Sequence, residues 1–276
     1  MIGYLFRKLP QIKGKRRLAR LLLSLAKSAK KDIRVLGKFG CTYKLPNILE
    51  TIGFEIFING IYEEETIRFI SGRLRPSGVL LDIGANIGAI SIPVSKLRRD
   101  VQILGLEAAP WIFQYLDHNI SINQLDGVRT INKAISDSSG ELVDFFSPKD
   151  KYGKGSLAPI FTNESEKVET ITIDELPFLV NQAIDFIKID VEGFEALAFR
   201  GGVELLMSTL APDILFEFVD WAEELAGEKP GTAQLILTTY GYRLYLFQSG
   251  KIGELINLPL VEGSHLIFAT KKNLII

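Results

Sequence analysis

Apolar and polar positions along this chain follow two rhythms. From residue 77 onward, short apolar runs with a period of two alternate with longer stretches whose apolar residues recur every three to four positions. Val79–Ala85 reads as a first strand and Ile87–Leu97 as the helix after it. Val101–Ala108, Trp111–Asn123 and Val128–Ile135 read as strand, helix and strand. Leu142–Phe146 and Val168–Ile173 are further strands around a polar, glycine-bearing loop, 148–167, which reads as a mobile flap. Asp185–Val191, a helix over Phe194–Met207, and Asp213–Val219 continue the alternation. A helix at Thr232–Tyr240 follows, and Arg243–Phe247 with His265–Thr270 form a hairpin-like terminal pair. Strands separated by helices imply an α/β fold with a mostly parallel, doubly wound sheet, here with an antiparallel C-terminal edge strand. Before this core, Phe54–Ile58 is strand-like and Glu64–Arg73 helix-like. Leu18, Leu21, Leu22, Leu25, Ala26 and Ala29 share one helical stripe, with Lys15, Arg16, Arg20, Lys27 and Lys31 largely off it. The expected organisation is an N-terminal helical extension (1–38), a pre-core cap segment (39–76) and one core domain (77–276).

Composition narrows the class. In 276 residues, 47% hydrophobic and 24% charged, there is material for one large α/β domain and an extension, and disorder and collagen are excluded. The single cysteine, Cys41, rules out an intramolecular disulfide and a cysteine-based metal site, which fits a reducing compartment and makes cytoplasm the default. Net charge is only −1, yet residues 1–38 hold twelve Lys/Arg and one acid, Asp32, against 20 basic and 32 acidic residues in the remainder. Two readings of this basic amphipathic helix stay open: a cap docked on its own domain, or peripheral attachment to the inner face of an anionic membrane. The longest uninterrupted apolar run in it, Leu21 to Leu23, is far too short to span a bilayer. Nucleic acid is the least supported partner, because aromatic interleaving stops at Tyr4 and Phe6 and no binding motif accompanies the charge. Nothing in the chain marks an oligomeric state.

The first candidate for chemistry is Asp82-Ile83-Gly84-Ala85-Asn86-Ile87-Gly88, a strand-loop-helix corner. Gly84 and Gly88 would let backbone approach a ligand, and Asp82 would place a carboxylate near one that carries an ammonium and a sulfonium. That description suits S-adenosylmethionine (SAM). An anionic NAD pyrophosphate would be poorly served, and the G-x-G-x-x-G fingerprint is absent because position 86 is Asn. Glu107, at the carboxyl end of the second strand and nineteen residues after Gly88, is placed to accept hydrogen bonds from ribose hydroxyls. An NAD-linked oxidoreductase or epimerase remains the enzyme alternative, since such proteins carry an acid in the same place.

The second candidate is Lys188-Ile189-Asp190-Val191-Glu192-Gly193-Phe194-Glu195. With a strand period of two, Lys188, Asp190 and Glu192 share one face at the sheet edge where ligands bind, and Glu217 on the neighbouring strand adds a fourth charge. Charges there are costly unless paired. The bland alternative is that Lys188 pairs with Glu217 or Glu192 and holds the layer together, with Glu195 equally structural. Asp190, at the strand tip, is the strongest candidate for chemistry.

Gly60-Ile61-Tyr62-Glu63, the Asp82–Gly88 corner, Thr172-Ile173-Asp174-Glu175-Leu176 and Lys188–Glu195 together resemble the FkbM family of SAM-dependent methyltransferases, over about Gly60 to Val219. The resemblance implies a Rossmann-like class I methyltransferase and O-methylation, as known in that family for polyketide hydroxyls and sugar hydroxyls of glycans and lipo-oligosaccharides. A small-molecule or glycan acceptor is therefore expected. A catalytically silent glycan-binding protein on the same fold is the non-enzyme alternative. Such chemistry needs the acceptor oxygen aligned and relieved of its proton. Asp190 is the first choice for base and Glu192 the second. Alternatively Asp190, Glu192 and Glu217 hold Mg²⁺, which would lower the pKa of the acceptor hydroxyl. The expected cofactor contacts are Tyr62, Asp82, Gly84, Ala85, Asn86, Gly88, Glu107, Ala108 and Ala134. Trp111 and Phe113 are candidates for the adenine border, with helix packing as their other reading. His118 reads as a surface residue and His265 as a minor candidate base.

Overall fold

The computed structural model describes residues 14–25, 32–177 and 183–274. Its centre is an eight-stranded sheet. The parallel part comprises β3 (Val79–Ile83), β4 (Gln102–Leu106), β5 (Val128–Ile131), β9 (Phe186–Ile189) and β10 (Asp213–Val219). β11 (Arg243–Gln248), β12 (Lys251–Leu255) and β13 (Ser264–Thr270) complete it in the order β12-β11-β13-β10-β9-β3-β4-β5. The reversed strand, β13, lies inside the sheet between β10 and β11, and β12 is the edge. That edge strand is missing from the sequence expectation because Lys251–Leu255 is almost wholly exposed and has no apolar face to announce it. Between β13 and β5 the connectivity runs outward in both directions from β9 and β3. Such a switch point opens a crevice at the carboxyl ends of the strands.

Both faces of the sheet are covered, and β3 divides its residues accordingly. Leu80 belongs to one apolar cluster, with α4 (Ser91–Leu97) and α5 (Pro110–Ile122). Val79, Leu81 and Ile83 belong to the other, with α6 (Glu195–Arg200), α7 (Val203–Met207) and α9 (Thr232–Thr239). α6 and α7 replace the single helix expected over Phe194–Met207. They part at Gly201, where a Cβ would lie 2.1 Å from the Ser136 carbonyl oxygen. Asp174 of the Thr172–Leu176 motif caps α7 by accepting from the amides of Glu204 and Leu205. A short α8 (Asp220–Leu225) follows β10. β6 (Ala134–Ile135), β7 (Leu142–Phe146) and β8 (Ser165–Ile171) make a separate three-stranded sheet, so the strand expected over Val128–Ile135 is two strands in two sheets.

The described residues before 77 are integral to this core. α1 (Lys15–Leu25) leads to a hairpin of β1 (Ile33–Leu36) and β2 (Thr42–Leu45), which crosses the boundary drawn at residue 38. Asn119 of α5 and Asn123 at its C-terminal cap bond the backbone of Lys44 and Thr42 on the open edge of β2. Phe54–Ile58 is not a strand. It lies within α2 (Thr51–Asn59), which the Glu50 carboxylate caps at the amide of Ile52 and a left-handed Gly60 ends. α3 (Glu64–Arg73) spans the residues expected and turns Arg73 onto the buried Asp213 at the opposite end of the sheet (2.6 Å). Among the described side chains of α1, Ala19 and Leu23 are buried, while Leu18 and Leu21 of the expected stripe are exposed; the side chains of Lys15, Leu22 and Leu25 lie outside those described. Ala26, Ala29, Lys27 and Lys31 of that pattern, and Tyr4 and Phe6, lie outside the described residues. Among the described residues no helix is long and apolar enough to cross a membrane.

Candidate functional site

Two turns at the carboxyl edge of the sheet build one cavity of about 710 Å³. The first follows β3. Gly84 (φ +77°), Asn86 (+52°) and Gly88 (+85°) take left-handed backbone in quick succession, which delays the helix to Ser91 although apolar periodicity begins at Ile87. Gly84 is required by space as well, since a Cβ there would lie 2.1 Å from the Asp190 carbonyl oxygen. Gly84 and Ala85 donate their amides to the Leu106 carbonyl (2.9 and 2.8 Å), and the Asn86 amide donates to Glu107 Oε2 (2.9 Å). Gly84, Ala85 and Asn86 thus line the cavity through a turn fixed against β4.

Asp82 and Gly88 do not border that cavity. Period-two alternation puts Asp82 on the Leu80 face, toward α4, where it is fully buried. Its Oδ2 accepts from the Ser91 hydroxyl, and Oδ1 has no hydrogen-bond partner among the described residues. Burial pushes its carboxyl above the usual range, against the pull of the nearby Lys188 ammonium. Gly88 instead makes room for packing, because a Cβ would meet Ile92 Cδ1 at 2.7 Å and Leu116 Cδ1 at 3.2 Å.

Glu107 is 7% exposed and lines the cavity with Ala108. Its Oε1 accepts from the Ala109 amide (2.9 Å) and its Oε2 from Asn86, yet burial outweighs both bonds and raises its pKa to about 7. Asn132 Nδ2 donates to the carbonyls of Glu107 and Ala108, tying the end of β5 to this wall. Ala134, Ile135 and Phe145 continue it as an apolar surface. Trp111 and Phe113 are not on it. Trp111 donates its indole N–H to Ser147 Oγ (3.0 Å), and Phe113 packs on the core.

The second turn follows β9. Lys188 pairs in register with Asp82 of β3 and Leu215 of β10, and its ammonium lies 3.4 Å from Asp190 Oδ2. Burial alone would lower the Lys188 pKa, but the carboxylates of Asp190, Asp82 and Glu63 outweigh it and raise it. The bland pairing of Lys188 with Glu192 or Glu217 is not the one formed. Glu192, in left-handed backbone (φ +52°), pairs with Lys154 of the flap at 2.6 Å. Burial first, then repulsion from Asp190, brings the Glu192 carboxyl up to about 7. Glu195 accepts from the amides of Val191 and Gly193 and so clamps the turn from below. Glu217 accepts from the Ser264 hydroxyl and faces the same space. Asp190 keeps 38% of its side chain exposed, which makes it the open carboxylate of the group. Among the described residues no group of three or more His, Cys, Asp or Glu is placed to hold a metal ion, so a Mg²⁺ site at Asp190, Glu192 and Glu217 finds no support.

A smaller chamber of about 250 Å³ adjoins this tip. Tyr62, Lys154, Lys188, Asp190 and Glu217 line both spaces, and Glu63 and Thr66 line the smaller one. The flap 148–167 is packed down over the cavity: Tyr152 is 1% exposed, and its carbonyl accepts from Asn86 Nδ2 (2.6 Å). Sequence reasoning did not single out Tyr152 and Lys154, nor Glu50 and Thr51 at the start of α2, nor assign Arg20 of α1 to the cavity wall. The only local signal was Lys154 between two glycines in a polar loop. Neither histidine reaches the cavities: His118 is exposed, and His265 stacks on Phe218.

The residues fit SAM in three respects: a glycine turn a Cβ would obstruct, a carboxylate fixed for a diol, and a volume within the roughly 300–1,000 Å³ of small-molecule sites. A family model described as "Methyltransferase FkbM domain" matches residues 82–244, more than half of the chain. The match begins at Asp82, after Gly60–Glu63, and runs past Val219 to Leu244. Methyltransferase sdnD of Sordaria araneosa is 25% identical over 154 residues, 44% of this chain; that stretch spans 59% of the relative's length. Among solved structures, a TehB-like SAM-dependent methyltransferase from Corynebacterium glutamicum has 16% identity and a TM-score of 0.47, covering 79% of this chain and 94% of that one. TYW2 of M. jannaschii, in complex with AdoMet, has 15% identity and a TM-score of 0.43, covering 88% and 86%.

Proposed function

The chain belongs to the FkbM methyltransferase family, and on that premise we propose that it moves a methyl group from SAM to a hydroxyl of a sugar, glycan or polyketide-like acceptor. The observation that carries this reading is the joining, in one cavity, of Glu107, held for a polar diol, to a group of carboxylates with one open member, Asp190. When bound, SAM supplies a methyl on a positively charged sulfur, which leaves as a neutral thioether as the acceptor oxygen takes the carbon.

The chain's own residues then have three tasks. Glu107 accepts hydrogen bonds from the ribose, and the amides of Ala109 and Asn86 keep its carboxylate from swinging away. Asp190 accepts the hydrogen bond of the acceptor hydroxyl and takes its proton as the new C–O bond forms. Lys188, buried beneath it, holds that carboxylate in place. Glu192, raised to about 7 while paired with Lys154, is the second carboxyl placed to take up the proton. The flap, tied to Asn86 through the Tyr152 carbonyl, covers one side of the cavity and reduces the water that would compete for the methyl group.

Calorimetry with SAM, S-adenosylhomocysteine and NAD tests the donor, and the first two should bind while NAD should not. Mass spectrometry of glycan and polyketide extracts incubated with methyl-labelled SAM tests the acceptor, with label expected on an oxygen. NAD binding in preference to SAM would sink the proposal, and label found on nitrogen or carbon would remove the hydroxyl part of it.

A further inference from the structure

The described side chains of α1 divide three ways. Ala19 and Leu23 are buried in the core cluster, at 0% and 2% exposure. Arg16 pairs with Glu55, while the Arg20 guanidinium lies 4.8 Å from the centre of the Phe54 ring and forms part of the large cavity's wall. Leu18 and Leu21, one turn apart, are 50% and 59% exposed, and Arg17 stands exposed beside Leu21. The helix is therefore docked on its domain and still presents leucines outward.

We propose that this outward face lies on the surface of an anionic lipid bilayer. Charge complementarity selects that occupant. Residues 1–38 carry twelve Lys/Arg and one acid, whereas the rest carries 20 basic and 32 acidic residues, so an anionic surface attracts this stretch of sequence and repels the remainder. Size argues against a second copy of the chain: eleven residues make a helix of roughly 16 Å, whose outward strip is far below the roughly 800 Å² per partner of a stable protein interface. A bilayer needs no such area. Leucines inserted at the boundary between head groups and acyl chains, with arginines at head-group level, suffice for reversible attachment.

The consequence for the site is geometric. Arg20 belongs to the same helix and to the cavity wall, so docking through Leu18 and Leu21 holds the Arg20 side of the cavity close to the lipid. A hydroxyl carried on a lipid head group would then reach it without leaving the membrane. This consequence rests on the proposed methyl transfer; the docking does not.

The test uses the full chain with vesicles of phosphatidylglycerol and phosphatidylcholine, and with phosphatidylcholine alone, in a sedimentation assay. Binding to the anionic vesicles is expected, weakening as salt rises from about 0.1 to about 0.5 M, with little binding to the zwitterionic ones. Leu18→Ser/Leu21→Ser should reduce anionic binding about tenfold at an unchanged melting temperature, since neither side chain is in the core. Arg17→Glu, made separately, should weaken anionic binding and leave the zwitterionic background as it was. Absence of binding by the parent chain, or equal binding by parent and both variants, overturns the proposal. So does light scattering that shows a dimer lost in the double variant, which would make the leucines a contact between copies. Failure of SAM binding in calorimetry would leave this result untouched and strike only the proposed reaction.

Discussion

The turns after β3 and β9 share a backbone plan and use it differently. Each leaves a parallel strand at its carboxyl end, each has a non-glycine residue in left-handed conformation at φ +52°, Asn86 or Glu192, and each has a glycine in the same region. In the first, the charged residue, Asp82, is buried behind the strand, and the turn lines the cavity with Gly84, Ala85 and Asn86, none of them ionisable. In the second, Lys188, Asp190 and Glu192 all face the cavity. A ligand that only needs to be held is served by backbone, which loses no side-chain entropy and cannot reorient. A proton that must move needs ionisable side chains, and those are concentrated at the second turn. On the proposed reaction, the difference would separate binding from chemistry along one edge of one sheet.

The sharpest way to break that separation is Asp190→Asn. The amide keeps the shape and loses the proton acceptor, so kcat should fall roughly 10²–10⁴-fold while SAM affinity changes by no more than about threefold. Stopped turnover with intact calorimetric SAM binding is the expected pair of results. A parallel loss of SAM binding would mean that the second turn holds the donor too.

A smaller effect sharpens the first turn from within. Gly84→Ala would drive a Cβ to within 2.1 Å of the Asp190 carbonyl, a backbone atom that cannot step aside, and would press the two turns apart. A stability loss of about 1–3 kcal/mol in urea unfolding is expected, together with weakened SAM binding. Gly88→Ala meets mainly the flexible Ile92 side chain, so it should cost about 1 kcal/mol through its positive φ and spare SAM affinity. Equal damage to SAM binding by both would return Gly88 to the ligand.

These two glycines also illustrate what the sequence could convey. The motif marks both as special and says nothing about why, because the reason lies in Asp190 for one and in Ile92 and Leu116 for the other. Strand β10 was legible to the residue, since Asp213–Val219 is a dense apolar run bounded by Pro212 and a charged helix start. Phe54–Ile58 was not, because a five-residue stretch with four apolar residues suits a strand or a buried helix equally. What decides is the Glu50 cap and Gly60 at its ends. In α1 the described leucines of the stripe, Leu18 and Leu21, face outward, while Ala19, small enough for close approach of the backbone, and Leu23 make the buried contact. Glu107 and Asp190 were readable from their places at strand tips. Lys154 was not, because its pairing with Glu192 joins residues 38 positions apart through a flap that carries no periodic pattern.

Glu107 and Glu192 make the last comparison, two carboxyls raised to about 7 by burial and held by different partners. Without ligand, a carboxyl raised in the folded state stabilises the fold below its unfolded pKa of about 4.3 and loses that contribution as pH rises through about 7. A ribose diol donates hydrogen bonds to the ionised form of Glu107, so SAM must bind the deprotonated protein better. Affinity should therefore rise about tenfold between about pH 6 and about pH 8, with proton release measurable as a buffer-dependent binding enthalpy. Glu107→Gln, which keeps an acceptor oxygen and cannot ionise, should flatten that slope, whereas Glu192→Gln should leave it in place and alter only the pH profile of turnover. A slope that survives Glu107→Gln and disappears in Glu192→Gln would move donor binding to the second turn, and the contrast between backbone holding and side-chain chemistry would be lost.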